Sequence, residues 1–399
     1  MMSNIPKLRF PEFKGEWEKS ELGKFTQEIT RVNHNSDAPI MMISAANGFI
    51  LQSNKYSKEM TGQSLKKYIE LHAGEFAYNH GASKLKKYGA CFCLDLDKAR
   101  IPFVYHCFKL TEGNTKFFSY LLNRTQLDSE LARYISSSAR MDGLLNISYT
   151  DYMKINISVP TLAEQQKIAD FLSNVDSIIT AETKILNSLQ KKKKALMQKL
   201  FTQQLRFKSN YGTDFPAWKE KKLGDVCSYI GGGTPSKKVK EYWNGNINWA
   251  SVKDITGKYL YETQDKISQL GADSSATNIC ESDSLLLITR MSPGKTVITK
   301  CITAINQDLK IVKSDINVEF LHLLFQSIQT KIDEKTSGTT VKGISIEGLN
   351  QIDIRLPCKA EQQKIADYLS SMDSLIQAQQ KVVTTWQQRK KALLQQMFL

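Results

Sequence analysis

The chain has 399 residues, 41% of them hydrophobic and 24% charged, which is the composition of a globular protein long enough for two domains. It has 54 Lys and Arg against 40 Asp and Glu, and its net charge of +14 favours a polyanionic partner, nucleic acid first and a membrane surface second. We expect a cytoplasmic protein with reduced thiols, because no apolar run approaches ~20 residues, no secretory signal core is present and the seven cysteines are irregularly spaced.

The segment near the start of the chain returns in its middle. "FPEFKGEWEKSELG" (10–23) matches "DFPAWKEKKLG" (214–224), and Trp17 aligns with Trp218 at an offset of 201 residues. The match is the first sign of an internal duplication.

In the first variable region, "GEFAYNHGASKLKKYGACFCLDL" (74–96) predicts two strands joined by a loop. "IPFVYHCFKL" (101–110) predicts another strand, "TKFFSYLLNRTQLDSELARYI" (115–135) an amphipathic helix, and "SSSARMDGLLNIS" (136–148) a small polar loop. These loops contain the residue types that contact phosphates and base edges in DNA. The candidate DNA contacts of this region are Asn79, His80, Ser83, Lys84, Lys86, Lys87 and Arg140.

The octapeptide "AEQQKIAD" occurs twice, and the ungapped similarity around it covers 163–201 and 360–398, with about 22 of 39 positions identical. Directly upstream, "ISYTDYMKINISVP" (147–160) matches "ISIEGLNQIDIRLP" (344–357) at the same offset. The chain therefore contains two tandem copies of one architecture.

Each octapeptide opens a predicted long helix after a strand that ends in proline. Thr161 is the predicted N-cap of the first helix, and Glu164 completes a capping box. Apolar residues then follow four-three spacing over five heptads, which indicates a coiled-coil seam; a helix packed on a globular core is the alternative. The seam residues are Ile168, Leu172, Val175, Ile179, Leu186, Leu189, Leu196 and Leu200, and in the second copy Ile365, Leu369, Met372, Ile376, Val383, Trp386, Leu393 and Met397.

The two helices are expected to pack on each other in antiparallel orientation, as repeats facing across a pseudo-twofold axis do. The seam is interrupted at two pairs of matching places, first Glu182 and Gln379, then Lys193 and Lys390. A 40-residue helix is about 60 Å long, and one turn of B-DNA is ~34 Å, so domains on such a spacer suit adjacent turns of a duplex. The run Lys191–Lys194 is interpreted as a solvated face of the coil, with contact to phosphates or a partner subunit as the alternative.

The second variable region repeats the order of the first. "SDSLLLITRMSPGKTVIT" (282–299) predicts strand, loop and strand, "NVEFLHLLFQSIQTKIDEK" (317–335) the helix and "TSGTTVKGIS" (336–345) the polar loop; "GGGTPSKKVKEYWNGNINWASVKDI" (231–255) precedes them. Similar order with different loops indicates one scaffold that reads two different short sequences. The candidate DNA contacts are Gly232, Thr234, Ser236, Lys237, Lys238, Lys253, Arg290, Lys295, Thr339, Thr340 and Lys342.

We therefore predict an α+β protein in which two tandem-repeat α/β recognition domains are separated by two long helices that form an antiparallel coiled coil with pseudo-twofold symmetry. The predicted bounds are 1–160 for the first recognition domain with its N-terminal segment, 161–201 for the first helix, 202–358 for the second domain and 359–399 for the second helix.

The repeated "AEQQKIADxL", the block "GGGTPSKK…YWNGNINW" and the strand "EFAYN" resemble the specificity subunit of type I restriction–modification systems over essentially the whole chain. The resemblance implies two target recognition domains, each reading one half of a bipartite, asymmetric DNA site, and a coiled coil that sets the gap between the halves. It implies double-stranded DNA, two methyltransferase subunits and two restriction (translocase) subunits as partners, and no membrane. S-adenosylmethionine, ATP and Mg²⁺ are then expected on those partners, which methylate adenine N6 and cut unmodified DNA, and no cofactor on this chain.

The chain lacks the motifs of a self-contained methyltransferase or nucleotide-binding enzyme. It has no Pro-Pro pair for a pocket that clamps a flipped adenine and no G-x-G-x-x-G turn. "SPGKT" (292–296) resembles the end of a phosphate-binding loop, but Thr289 stands where a glycine is needed, so Lys295 is interpreted as a loop cation facing DNA. "GGGTPS" (231–236) is interpreted as a turn at the DNA backbone or a purely structural turn.

Metal and hydrolytic centres are not predicted either. "CFC" (91–93) and "HC" (106–107) are interpreted as small core residues on neighbouring strands, since zinc sites space their cysteines differently. The five histidines show no partner arrangement of a catalytic triad. Trp243 and Trp249 are interpreted as core aromatics, with base stacking as the alternative.

The sequence leaves two other functions open. A non-enzymatic two-headed scaffold would bind proteins or a membrane surface through its coil and basic surface, and its DNA binding would show no sequence preference. A self-contained enzyme would methylate or cleave DNA without partners.

Overall fold

The computed structural model describes residues 4–55, 63–81, 83–124, 127–135, 145–338 and 341–398. The chain divides into two compact units. Unit 1 is Met1–Thr183 with Lys381–Leu399, and unit 2 is Lys184–Gln380. Three candidate DNA contacts, Arg140, Thr339 and Thr340, lie outside the described residues.

Unit 1 is built on an antiparallel sheet in the order β2-β9-β6-β7, with three two-stranded sheets, β1-β10, β3-β4 and β5-β8. The strands are β1 (Glu18–Glu21), β2 (Thr26–Glu28), β3 (Met41–Ser44), β4 (Gly48–Leu51), β5 (Ile69–His72), β6 (Phe76–Asn79), β7 (Ala90–Cys93), β8 (Lys98–Ile101), β9 (His106–Leu110) and β10 (Asn156–Val159). The short helices are α1 (Thr115–Leu122), α2 (Asp128–Tyr134) and α3 (Tyr149–Met153).

The core of unit 1 lies between its main sheet and α1. Phe76 of β6 stacks on Phe108 of β9 with ring centroids 5.3 Å apart, and both rings are fully buried. Phe117 and Leu121, four residues apart on α1, are also fully buried, because that spacing places both on one face of a helix.

A long helix, α4 (Leu162–Phe201), begins after β10 in unit 1 and ends in unit 2. The strands of unit 2 are β11 (Lys219–Lys222), β12 (Ser228–Ile230), β13 (Ile247–Ala250), β14 (Tyr259–Leu260), β15 (Asp265–Ile267), β16 (Asn278–Cys280), β17 (Leu285–Ile288), β18 (Thr296–Thr299), β19 (Thr303–Ile305), β20 (Leu309–Lys313) and β21 (Asp353–Leu356). Its short helices are α5 (Gln269–Asp273), α6 (Val318–Ser327), α7 (Gln329–Glu334) and α8 (Ile346–Asn350).

The sheets of unit 2 repeat those of unit 1 in order. The sheet β12-β20-β17-β18-β14 follows β2-β9-β6-β7 and adds β14 at its edge, and the pair β11-β21 corresponds to β1-β10. A further sheet, β15-β13-β19-β16, carries the segment that follows the glycine run. The duplication that the sequence indicates is therefore a duplication of fold.

A second long helix, α9 (Lys359–Gln396), begins in unit 2 and ends in unit 1, so each unit contains one end of each long helix. In unit 1, Asp176 of α4 pairs with Lys390 of α9 at 2.5 Å. In unit 2, Lys193 of α4 pairs with Asp373 of α9. The partner numbers fall as the α4 numbers rise, so the two helices are antiparallel, and both lysines stand where the sequence interrupts the seam.

The residues assigned to the seam from the sequence are all buried or half-buried. Ile168 and Leu172 lie in the core of unit 1 with Met397, and Leu200 lies in the core of unit 2 with Leu369. The long helices thus contribute to the core of both units as well as packing along each other.

In unit 1 the repeated octapeptide fastens the N-terminal segment to the long helix. The Glu164 carboxylate is almost fully buried and accepts hydrogen bonds from Arg9 Nε at 2.7 Å and Trp17 Nε1 at 3.3 Å. Glu164 was expected to cap its own helix with Thr161; instead it neutralises a guanidinium from the start of the chain.

Unit 2 contains the same arrangement, in which a buried glutamate accepts hydrogen bonds from an arginine and a tryptophan; we call it the clamp. Glu361 is its buried acceptor. Glu361 accepts from Arg206 Nη2 at 2.7 Å and from Trp218 Nε1 at 3.0 Å. A buried carboxylate is tolerated only when its charge and lone pairs are matched, so the glutamate, arginine and tryptophan recur together.

The first glutamine of each octapeptide copy holds the start of a shorter helix that lies earlier in the chain. Gln165 donates to Pro160 O at 2.9 Å, and its side-chain oxygen accepts from Asn114 N, where Asn114 is the N-cap of α1. Gln362 and Asn317 make the corresponding bond at the start of α6. The octapeptide is therefore a junction that joins three elements in each unit.

Some predicted elements are broken. The predicted strand 101–110 contains the end of β8, a turn and β9, and the predicted helices 115–135 and 317–335 are each two short helices. Cys91 of β7 and Cys107 of β9 are buried, as a core interpretation requires, but β6 lies between their strands, which are not neighbours.

Candidate nucleic-acid interface

In unit 1, the loop between β6 and β7 presents a lysine-rich surface. Ser83, Lys84 and Lys87 are exposed. The loop is closed by a turn in which Ser83 N donates to Lys86 O at 2.9 Å and Lys86 N donates to Ser83 Oγ at 3.0 Å. Short polar bonds of this kind hold the tip in one conformation.

Lys86 points back into the fold. Its side chain is half-buried, its ammonium donates to Asn123 O at the end of α1, and burial lowers its pKa. It therefore anchors the loop, while its neighbours Lys84 and Lys87 face solvent.

Two candidates at the start of this loop have structural contacts. Asn79 is half-buried, donates to Ile43 O at 3.3 Å and accepts from Gly81 N at 2.9 Å. His80 is buried, and its two ring nitrogens lie 2.8 Å from Leu145 O and 2.9 Å from Val104 O. The expectation that the His80 side chain faces DNA is therefore corrected: it ties the loop to the segment that precedes α3.

In unit 2, the loop between β17 and β18 is joined to the polar loop before α8. Met291 N donates to Lys342 O at 2.8 Å, and Ile344 N donates to Thr289 O at 2.9 Å. The sequence placed candidates on each loop separately, and the structure brings the two loops together into one surface.

Three of the candidate cations lie exposed on this joined surface. They are Arg290, Lys295 and Lys342. The Arg290 guanidinium also lies 3.4 Å from the Asp308 carboxylate, a distance that orients the side chain while leaving most of it exposed. Gly294 has a φ of +92°, so the tight turn before Lys295 favours glycine.

The glycine-rich segment reaches the same surface through the turn between β19 and β20. Thr234 Oγ1 donates to Gln307 Oε1 at 2.5 Å, next to Asp308. A Cβ on Gly232 would lie 2.3 Å from Ile305 O, so only glycine permits this approach. Gly232 thus has a packing role, and Thr234 and Arg290 contact consecutive residues of the same turn, Gln307 and Asp308.

The remaining candidates of unit 2 have contacts elsewhere. Lys253 pairs with Asp265 at 2.8 Å, and Lys237 lies over the Trp243 ring at 6.0 Å from its centroid. Trp243 packs edge-on against the buried Trp249, which supports the core interpretation of both rings. Ser236 and Lys238 are exposed on the same segment.

The loops of the two units occupy corresponding places. In unit 1, Leu145 N donates to His80 O at 2.9 Å, which joins the β6–β7 loop to the segment before α3. In unit 2, the bond from Ile344 to Thr289 joins the β17–β18 loop to the segment before α8 in the same way. In each unit the cationic hairpin loop is therefore joined to the residues directly before the short helix α3 or α8, with different residues in each.

Two apolar residues on these loops were missed by the sequence reasoning. Leu85 is 67% exposed in the first hairpin loop, and Met291 is 63% exposed in the second. The available signal was a single large apolar residue inside a basic polar run, "SKLKK" and "TRMSPGK".

The chemistry of the surface is that of a polyanion-binding surface. Lysine and arginine pair with phosphates, while serine, threonine and main-chain groups can contact base edges or sugars. Among the described residues, no group of three His, Cys, Asp or Glu side chains could hold a metal ion. No helix in the described part of the chain is long and apolar enough to cross a membrane.

Comparison with known proteins identifies a family model. The model described as "Type I restriction modification DNA specificity domain" matches residues 98–191 and 217–385, which together are more than half of the chain. The two matched segments correspond to the two repeats.

Curated relatives are specificity subunits. The chain is 32% identical over 171 residues to the "Type I restriction enzyme MjaIX specificity subunit" of Methanocaldococcus jannaschii, covering 41% of the chain and 40% of the relative. It is 29% identical over 243 residues to the "Type I restriction enzyme EcoR124I/EcoR124II specificity subunit" of Escherichia coli, covering 57% and 58%. In these alignments the chain spans less than two thirds of either relative.

A solved structure shares the fold. The S subunit of a type I restriction–modification system from M. genitalium superposes with a TM-score of 0.59 at 14% identity, over 99% of each chain. At that identity the likeness concerns the fold alone.

Proposed function

Because the chain belongs to the type I restriction–modification DNA specificity family, we propose that it is the subunit that selects the DNA site for a type I complex. Each unit reads one half of a bipartite, asymmetric site, and the chain brings partner methyltransferase and restriction subunits to that site. The observation that supports this most directly is the pair of cationic loop surfaces, placed alike in the two units and different in sequence.

Two different surfaces on one scaffold favour two different half-sites. Among the described candidates, the exposed cations of the unit 1 loop are lysines, whereas unit 2 adds Arg290 to its exposed lysines. Arginine can form paired hydrogen bonds with guanine, and lysine acts more as a point charge on phosphates, so the two surfaces differ in what they can read.

The long helices support a role as a spacer. They are 40 and 38 residues long, run antiparallel and contribute residues to the cores of both units. The gap between the two DNA half-sites would then depend on the length of the long helices. A change in helix length would change that gap.

An exposed apolar stripe on the long helices supports a protein partner. Besides the seam, each long helix has three exposed apolar residues at seven-residue spacing, and their exposures lie between 36% and 58%. They are Phe171, Ile178 and Ile185 on α4, and Tyr368, Leu375 and Val382 on α9. Such a stripe suits helices of a partner, and we assign it to the methyltransferase subunits.

The chain itself is proposed to be non-catalytic. S-adenosylmethionine, ATP and Mg²⁺ would then bind to the partner subunits, which would methylate adenine N6 and translocate or cut DNA. Within the described parts of the loop surfaces, the exposed residues are suited to binding DNA and include no paired base and nucleophile.

The test is co-expression of this chain with its cognate methyltransferase subunit, followed by genome-wide mapping of N6-methyladenine. A two-part motif with a fixed gap is the expected result. Methylation without a defined motif, or DNA binding that depends on salt but not on sequence, would contradict the proposal and favour a general scaffold.

A further inference from the structure

The hairpin loops of both units share a feature that phosphate binding does not explain. Leu85 and Met291 are large apolar side chains that are more than 60% exposed, each on the hairpin loop of its unit. Single exposed apolar residues are ordinary on protein surfaces, but here one occurs on each corresponding loop, surrounded by cations.

In unit 1, Leu85 is the third residue of the closed turn that begins at Ser83. The adjacent residues in the chain are Lys84 and Lys86, and Lys87 follows. The turn is closed by these bonds, and the Leu85 side chain is 67% exposed at its tip.

In unit 2, the backbone of Met291 has a φ of +72°, in the left-handed region that non-glycine residues rarely adopt. Such a conformation is unfavourable for a residue with a side chain and persists where the surroundings impose it. Here the bond from Met291 N to Lys342 O holds the residue, with Arg290 directly before it.

The neighbours of both residues indicate what they meet. An apolar tip for a protein partner would be expected among apolar or mixed-charge residues, whereas lysine and arginine predominate around these tips; in unit 2 the exposed Val341 and the Asp308 carboxylate lie on the same surface. Proteins that bind DNA insert leucine and methionine between base pairs, which opens the step and kinks the duplex.

We propose that Leu85 and Met291 are wedges that enter the DNA, one at each half-site, while the adjacent cations hold the phosphates. The proposal rests on the proposed function as a DNA-recognition subunit. Opening a base step would make the target depend on how easily a sequence unstacks, in addition to its base edges.

The experiment uses the full chain in complex with its methyltransferase partner and target duplexes with 2-aminopurine at successive positions other than the adenine that the partner methylates, because that base is flipped out by the partner itself. Unstacking raises the fluorescence of this base analogue. The wild-type complex should give one bright position in each half-site. Met291→Gln keeps the length of the side chain and removes its apolar character, so it should abolish the signal of one half-site only and weaken binding about tenfold. Leu85→Gln should do the same for the other half-site.

Two matched controls separate the wedge from folding and from general surface effects. Leu270→Gln makes the same kind of change at a leucine that is 57% exposed on α5, and binding should stay unchanged. Met291→Gly removes the backbone strain, so the variant should melt no lower than the wild type and still lose binding.

No charge is removed in these variants, so the slope of affinity against salt concentration should be retained. Wild-type affinity and fluorescence in both glutamine variants would overturn the wedge proposal while leaving sequence-specific recognition intact. If the wild-type complex showed no preference for any duplex, the proposed function itself would fail.

Discussion

At the scale of single residues, two buried glutamates determine how the repeats are assembled. Glu164 and Glu361 are at most 1% exposed, and each accepts from one arginine and one tryptophan of the segment that precedes its recognition domain. The octapeptide was recognisable in the sequence, but its arginine partners were not assigned. The signal was the tripeptide "LRF", which occurs at 8–10 and 205–207 with the offset of the octapeptide.

Replacing Glu361 with glutamine should destabilise unit 2 by about 3 kcal/mol, because it leaves a partly buried guanidinium without its counter-charge. Urea unfolding of the variant measures this loss. Glu220→Gln is the control in the same unit: Glu220 pairs with Arg355 on the surface and its side chain is 78% exposed, so stability should barely change. Equal losses in both variants would contradict a special role for the clamp.

His322 gives unit 2 a predictable response to acid. Its ring is buried, accepts from Gln326 and pairs with Thr296 at 2.9 Å, and desolvation together with the charge of Lys258 lowers its pKa to about 4. The folded state therefore stays neutral at this ring while the unfolded chain binds a proton near pH 6.5. The free energy of unfolding therefore has its full value above pH 6.5 and decreases as the pH falls towards 4, because only the unfolded chain takes up the proton.

His322→Gln should flatten the pH dependence of unfolding between pH 6.5 and 4, by up to about 3 kcal/mol at ~1.36 kcal/mol for each unit of pKa. Equilibrium unfolding at a series of pH values tests this. His34→Gln, at an exposed histidine, should follow the wild-type curve. Parallel curves for wild type and His322→Gln would contradict the assignment.

At the scale of elements, the two repeats differ near the C-terminal ends of α1 and α6. An arginine fills the space in unit 1, and a serine leaves it open in unit 2. In unit 1, the Arg124 guanidinium lies 4.8 Å from the centroid of Phe398, and its Nε donates to Leu121 O. In unit 2 the corresponding residue is Ser327, which donates to Leu324 O. A cavity of about 1120 Å³ opens there, lined in part by Ser327 and Phe201.

Arg124→Ser should leave a small void in the core of unit 1 and destabilise it by about 2 kcal/mol, through the lost cation–π contact and the empty volume. Faster hydrogen exchange in α1 would report the effect locally. Arg133→Ser removes an arginine whose side chain is 65% exposed on α2 and should leave exchange in α1 unchanged. Unaltered exchange in Arg124→Ser would show that the guanidinium does not support the core.

The ion pairs between the long helices should couple energetically. Asp176 and Lys390 are both partly exposed, and Tyr120 of α1 also donates to Asp176 at 2.7 Å. Asp176→Lys and Lys390→Asp should each destabilise unit 1, and the double variant should recover about 1 kcal/mol of that loss. A double-mutant cycle of unfolding free energies measures the coupling, and additive losses would mean that the pair contributes nothing.

The elements also show how far the sequence predicts this fold. The long helices and both hairpins follow from heptad spacing, alternation and turn residues. The predicted helix 317–335 is instead two helices, α6 and α7, a break that its apolar pattern does not mark. His80 was assigned to the surface because loops are polar. Its ring instead contacts the carbonyl oxygens of Val104 and Leu145, which are distant in the chain, so the sequence gives no signal for its burial.

At the scale of the whole molecule, the proposed spacer can be tested by length. Inserting seven residues into each long helix preserves the heptad and adds about 10 Å, roughly 3 bp of DNA. The gap in the methylated motif should lengthen, or activity should be lost because the two half-sites fall out of rotational phase. A motif with the original gap would show that the helices do not determine the spacing.

Neither repeat completes its own core. Phe398, encoded by the second repeat, packs on Phe117 in unit 1 at 5.3 Å between ring centroids, and Phe201, encoded by the first repeat, packs on Phe320 in unit 2 at 5.6 Å. A mutation in one half of the gene therefore damages the fold specified by the other half. The ends of the two long helices are therefore constrained by cores that the opposite repeat encodes, whereas the exposed loop residues carry no such constraint.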